Sequence, residues 1–220
     1  MFHIKICGVT TPKDAQFVAL AGADAVGLNF YAKSPRFIDL PTAEAIVKSM
    51  PARLARVGVF VNSPAELVTE YADRLNLQWL QLHGDEPPEF LAALSGRDVL
   101  RSFPFTGSVQ PIIDYLNTCR HLNALPRAIL IDASHSGEYG GTGTEVDWQQ
   151  LSEVRSDLGD LPLVLAGGLT PFNVAEAISA VRPDAVDAAS SVESRPGSKD
   201  LLLVRAFVTA AKRAFAELGR

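Results

Sequence analysis

The stretch 3-HIKICGVTTPKDAQFVALAGADAVGLNF-30 holds the repeating unit of this chain. Its ends, 3-HIKIC-7 and 25-AVGLNF-30, are short apolar runs that read as strands covered on both faces. Between them, Thr11 and Pro12 pair a capping hydroxyl with a proline at the first helical position, where the missing N–H costs nothing. Ala15, Val18 and Ala19 then recur at helical spacing and make one buried stripe. Strand, capped helix, strand is the unit from which parallel sheets are built. Cys7 stands where the first strand ends. Free cysteine often behaves as a small buried hydrophobe, so packing is the plain reading of that thiol taken alone.

The same alternation runs through all 220 residues. Further strands are expected at 56-RVGVFV-61, 78-QWLQLH-83, 98-DVLRSF-103, 128-AILID-132, 162-PLVLA-166 and 184-DAVDAA-189. Ser63–Pro64 and Thr170–Pro171 repeat the capping signal, and Ser63 with Glu66 fits a capping box. The stretch 199-KDLLLVRAFVTAAKRAFAEL-218 carries the strongest helix pattern. Eight strands alternating with eight helices, with no linker, predict a single-domain (β/α)8 TIM barrel over residues 1–220. An open doubly wound sheet is the alternative. The non-periodic stretch 133-ASHSGEYGGTGTEVD-147 is long enough to serve as a functional loop, with residues 137–143 as a lid. Its glycines start no helix directly after a strand, so they are not a dinucleotide fingerprint.

Composition narrows the functional classes. With 47% hydrophobic and 20% charged residues, the chain can bury a substantial core. A net charge of −5 gives no basic surface for nucleic acid. No apolar run approaches the ~18–20 residues needed to cross a bilayer, and no signal pattern opens the chain, so no membrane partner is expected. Cys7 and Cys119 lack metal-ligand or disulfide-framework spacing, and the four histidines are scattered, which argues against a metal. The expected setting is a reducing cytoplasm.

In a barrel of this kind, chemistry lies at the C-terminal strand ends and in the loops that follow. Cys7, His83 and Asp132 end three predicted strands, Asp187 lies on the eighth, and Arg36 follows the second in 34-SPRFI-38. Cys7 is placed for nucleophilic or proton-transfer work, and the helix start after it would favour a thiolate. Asp132 ends an apolar run where a lone carboxylate is costly unless hydrogen-bonded or neutral, with loop anchoring as the plain alternative. A hydrogen-bonded structural histidine is the plain reading of His83, and a solvated loop arginine that of Arg36. Gly167 and Gly168 after strand seven, together with 189-ASSVESRPG-197 after strand eight, occupy the recurrent phosphate site of the fold. A tight turn explains the glycine pair but not both loops together.

Seven motifs in order carry a family resemblance: KICGVT at 5–10, GLNFYAKSPRFI at 27–38, VGVFVN at 57–62, LQLHGDE at 80–86, LIDASHSGEYGGTGTEVDW at 130–148, LAGGLTPFNV at 165–174 and ESRPGSKD at 193–200. The sequence resembles the phosphoribosylanthranilate isomerase family, whose members perform an Amadori rearrangement in tryptophan biosynthesis. The resemblance implies Cys7 as general base and Asp132 as general acid, with Arg36 on the anthranilate carboxylate. It places His83 and Asp187 against the substrate, and Gly167, Gly168, Ala189 and Ser190 at its phosphate. It implies a small phosphorylated substrate and no metal or organic cofactor. An acid and a base must then coexist near neutral pH, so the site should raise the aspartate pKa or lower that of the thiol. A monomer is expected over a homodimer.

Two positions depart from the family pattern D-V-S-S-G-V-E, which reads 187-DAASSVE-193 here. Ala189 stands for a serine and Ser191 for a glycine. Ser191 is disfavoured if the backbone there needs positive φ and tolerable at a helix start. Loss of the hydroxyl at 189 removes one phosphate donor, which Ser190 or Ser191 would have to replace. A related phosphosugar isomerase with paired aspartates would carry an aspartate where Cys7 stands. A catalytically silent barrel would not be expected to keep Cys7, Arg36 and Asp132 together.

Overall fold

Parallel strands β1 (Ile4–Cys7), β2 (Ala25–Asn29), β3 (Ala55–Phe60), β4 (Trp79–Leu82), β5 (Val99–Pro104), β6 (Ala128–Asp132), β7 (Leu163–Leu165) and β8 (Ala185–Ala188) pair in sequence order. β8 returns to β1 with Lys5 opposite Asp187, and the sheet closes into a barrel. The structure is a computed structural model describing residues 1–132 and 147–220. The stretch 133–147 expected to form a functional loop lies almost wholly outside the described residues, and the 137–143 lid does so entirely.

The described helices ring the barrel: α1 (Pro12–Ala21), α2 (Leu40–Ser49), α3 (Ala65–Leu75), α4 (Pro88–Ala93), α5 (Gln110–His121), α6 (Trp148–Val154), α7 (Val174–Val181) and α8 (Leu201–Glu217). Thr11 caps α1 as expected, its hydroxyl accepting from the Asp14 N–H, with Pro12 at the first turn. Two capping expectations are corrected. Ser63 caps nothing: α3 begins at Ala65 behind an extended Pro64, with no side-chain cap. Thr170 instead closes the turn before α7, its hydroxyl accepting from the Phe172 and Asn173 amides at 3.2 Å, and the helix starts only at Val174. No helix among the described residues is long and apolar enough to cross a membrane.

Strand pleating sorts the side chains, since alternate residues face opposite sides. Ile4, Ile6, Val26, Leu28, Leu80, Leu82, Ile129, Ile131, Leu163 and Leu165 join the helices in the larger core. The opposite set, including Ala25, Val57, Trp79, Leu100, Leu130 and Val164, fills the barrel interior, with Phe2 edge-to-face on Trp79 at its floor. Stepping by two from that inner set reaches Gln81, Ser102, Asp132 and Asp187, so the interior turns from apolar to polar toward the strand C-termini.

A buried charge staple holds the mouth in shape. Arg101 on β5 donates to the Leu82, Ser102 and Gly84 carbonyls at 2.9–3.0 Å and pairs with Glu86 at 3.3 Å. Glu86 in turn accepts from the Asn62 and Gly84 amides at 2.8 and 3.0 Å. The loops after β3 and β4 are thereby fixed to β5, and with them the segment carrying His83. Arg101→Met should cost about 3–5 kcal/mol, because Glu86 would be left as an uncompensated buried charge. Denaturant unfolding checks this, and adding Glu86→Gln should recover part of the loss.

Candidate active site

Cys7 ends β1 and faces the mouth, half-buried. Its strand neighbour is Gly27, where a Cβ would lie 2.6 Å from the sulfur, so the thiol occupies space only glycine leaves. Gly8 follows at φ 74°, and a Cβ there would overlap the Arg36 side chain. The expected pull toward a thiolate is not found. Burial, with the Asp187 charge, pushes the Cys7 thiol up and outweighs the opposing charges of Lys5 and Lys199.

Asp132 ends β6 at 7% exposure, with its Oδ2 3.5 Å from His83 Nε2. The Gln81 amide nitrogen lies 2.8 Å from His83 Nδ1 and 3.3 Å from the Ser102 hydroxyl. In that amide orientation Nδ1 accepts, and a neutral ring carries its proton on Nε2, aimed at Asp132. His83 is therefore hydrogen-bonded, as its plain reading expected, and also sits beside the proposed acid. Gln81 was missed from sequence, although His83 follows it by two residues just past the end of β4, so the strand's alternation carries both to the same face.

Asp187 lies on β8 at the inner face, held by Lys5 Nζ at 2.6 Å. Burial pushes its carboxyl up while Lys5 pulls it down, and the upward effect wins. Its Oδ1 is buried with no hydrogen-bond partner among the described residues.

Arg36 is already engaged. Its Nε and Nη2 donate to the two Glu193 oxygens at 2.9 and 2.8 Å, a two-pronged pair. Lys199 Nζ adds a bond to Glu193 at 2.7 Å and one to the Ala189 carbonyl at 3.0 Å. The fork expected to meet a substrate carboxylate thus faces a protein carboxylate. Glu193 and Lys199 escaped sequence reading because their partners are 157 residues away and across a hairpin, β9 (Glu193–Arg195) with β10 (Ser198–Lys199).

The two expected phosphate loops meet. Gly167 and Gly168 follow β7 with φ of 81° and 67°, and neither amide donates to the backbone of another described residue. Successive amides in such conformations form a concavity suited to an anion. After β8, Ala189 leads into a 3-10 turn, Ser190–Val192, where Ser190 is exposed and φ is nowhere positive. Ser191 is accommodated for that reason. Its hydroxyl donates to the Leu169 carbonyl and ties the two loops together, leaving Ser190 as the exposed hydroxyl. Among the described residues no His/Cys/Asp/Glu cluster has metal-binding form.

Fold and site together describe a barrel whose titratable side chains ring the C-terminal mouth beside the two loops that carry Gly167, Gly168 and Ser190. The family model described as N-(5'phosphoribosyl)anthranilate (PRA) isomerase matches residues 4–210. Isomerases of this description from Geobacter metallireducens and Myxococcus xanthus are each 43% identical to this chain, over 96% of it and 100% and 96% of their own lengths. The crystal structure of phosphoribosyl anthranilate isomerase from Thermotoga maritima superposes with a TM-score of 0.83 at 38% identity, covering 97% of this chain and all of that one. Another isomerase structure, in complex with reduced 1-(o-carboxyphenylamino)-1-deoxyribulose 5-phosphate, gives 0.81 at 36% identity, with 97% and 100% covered. The chain belongs to the N-(5'-phosphoribosyl)anthranilate isomerase family.

Glu193 has a pH consequence. Burial raises its carboxyl, but the Arg36 hydrogen bonds and the Lys199 charge outweigh that and hold it below its ordinary 4.5. A depressed carboxyl stabilises the fold above the unfolded value and loses that contribution as pH falls through the folded one. Glu193→Gln should therefore lower stability at neutral pH by on the order of 3 kcal/mol. It should also flatten the fall in Tm as pH drops from about 5 through Glu193's ordinary 4.5 and below, relative to neutral pH. Calorimetry across that range checks both.

Proposed function

We propose that the chain converts N-(5-phosphoribosyl)anthranilate to 1-(2-carboxyphenylamino)-1-deoxyribulose 5-phosphate in cytoplasmic tryptophan biosynthesis, with Asp132 as general acid and Cys7 as general base. One observation carries the assignment: Cys7 and Asp132 end non-adjacent strands at inward-facing positions, so both reach one space at the barrel mouth. Asp132 protonates the furanose ring oxygen as the C1–O bond breaks, leaving a Schiff base. Cys7 then takes the C2 proton, and the C2–H electrons form the enolamine double bond that tautomerises to the ketose.

The surroundings suit these tasks. His83 beside Asp132 gives the carboxyl a proton-carrying neighbour. The Gly167–Gly168 turn and exposed Ser190 offer donors to a phosphate, while Ala189 offers none from its side chain. Arg36 meets the anthranilate carboxylate with the donors Glu193 does not use, or by exchanging partners. We take the chain as a monomer. One solved Thermotoga maritima structure is of monomers made from a dimeric isomerase, and sedimentation of this chain decides between the two states.

Loss of substrate fluorescence on addition of enzyme to freshly made phosphoribosylanthranilate measures the reaction. Cys7→Ala and Asp132→Asn should each lower kcat by roughly 10²–10⁴-fold while the fold is retained. Because burial holds the Cys7 thiol above its ordinary 9, kcat/KM should still be rising as pH passes about 8. Near-parental turnover in either variant would sink the assignment.

A further inference from the structure

Lys5 has no exposed surface, which is rare for a lysine. It lies two residues before Cys7 on β1, so the pleat turns both side chains to the barrel axis. Its ammonium carries three donors, and one goes to Asp187 Oδ2 at 2.6 Å. The next inward group along the strand is the Cys7 sulfur. Across the pair, Asp187 Oδ1 is buried and unpartnered among the described residues, a costly position for a fully ionised carboxylate. One buried cation thus stands between two acids, and burying two anions beside it costs far more than burying one.

We infer that Lys5 is a positioning residue that acts as the shared counterion of Asp187 and Cys7, so that the two acids hold a single negative charge between them. In one form Cys7 is a thiol and Asp187 a carboxylate. In the other, the proton lost by the sulfur is carried on Asp187, Cys7 is a thiolate, and Lys5 remains an ammonium throughout. The functional meaning rests on Cys7 being the base, because this exchange is what makes a thiolate attainable at the half-buried Cys7 without exporting a proton from the barrel.

The charged groups around the sulfur single out Lys5. Besides Lys5 on its own strand, Cys7 feels Asp187 from β8, Lys199 from β10 and Arg36 from the loop after β2. Lys199 and Arg36 are both bonded to Glu193, whereas Lys5 has a single carboxylate oxygen. Asp187 is also influenced by Asp132 from β6 and by His83 beyond β4.

The thiol can be titrated directly. In a Cys119→Ala background, the rate of Cys7 alkylation by iodoacetamide is followed against pH for the parent, Asp187→Asn, and Lys5→Met with Asp187→Asn. The double variant removes both charges and leaves no lone buried ion, so it is the variant expected to fold. Asp187→Asn should lower the alkylation midpoint by about one pH unit or more, since the thiolate becomes the only anion left for Lys5. Adding Lys5→Met should raise the midpoint again by at least as much. Coincident midpoints for the single and double variants, or an unmoved midpoint in Asp187→Asn, would overturn the inference. Turnover by Cys7→Ala tests the base assignment separately, so each idea fails on its own measurement.

Discussion

Closing eight parallel strands into a ring forces every second residue toward the axis, and the site depends on that constraint. The lower inward positions, with Trp79, Leu100, Leu130 and Val164, form an apolar plug. The upper ones, including Cys7, Gln81, Asp132 and Asp187, form the polar mouth. A one-residue slip in any strand would turn its functional side chain outward into the helix layer and an aliphatic one inward. Close packing against the helices through Ile6, Leu82 and Ile131 makes such a slip costly, so the outer core holds the chemistry in register.

Within the mouth, almost every charge has an opposite in contact. Lys5 faces Asp187, Arg36 and Lys199 share Glu193, and Arg101 holds Glu86. Such pairs are weak arguments for stability, because desolvation offsets most of their attraction. Their value here is geometric: each joins segments distant in the chain, such as β1 to β8 and the β2 loop to the β9–β10 hairpin. Gly27 and Gly8 complement them by sparing the space that the Cys7 sulfur and the Arg36 stem occupy.

Much of this was legible in the residues. The strand runs fall within a residue or two of the observed strands, because doubly covered parallel strands are continuous apolar runs that end where polar residues begin. Thr11–Pro12 marked a true helix start. Ser63–Glu66 misled, since a capping box needs the serine to flank the first helical residue and Pro64 takes that place. Cys7, Asp132, His83 and Asp187 could be placed at the barrel mouth from sequence because each falls at or near a strand's C-terminal end. Lys5 and Gln81 share faces with Cys7 and His83, and the two-residue period would have found them.

The sequence by itself determined the alternation of strands and helices, the count of eight that favours a closed barrel, and the strand ends on which the titratable groups stand. These follow from local periodicity and from the geometry of the strand pleat, both written in neighbouring residues. Only the tertiary structure decided that the Arg36 fork faces Glu193, that Ser191 ties two loops through Leu169, and that the Cys7 thiol is pushed up and not down. Those outcomes depend on burial and on charges brought together from opposite ends of the chain. Desolvation and Coulomb attraction act across space, and no local pattern records which distant groups the closing barrel will bring within a few ångströms of one another.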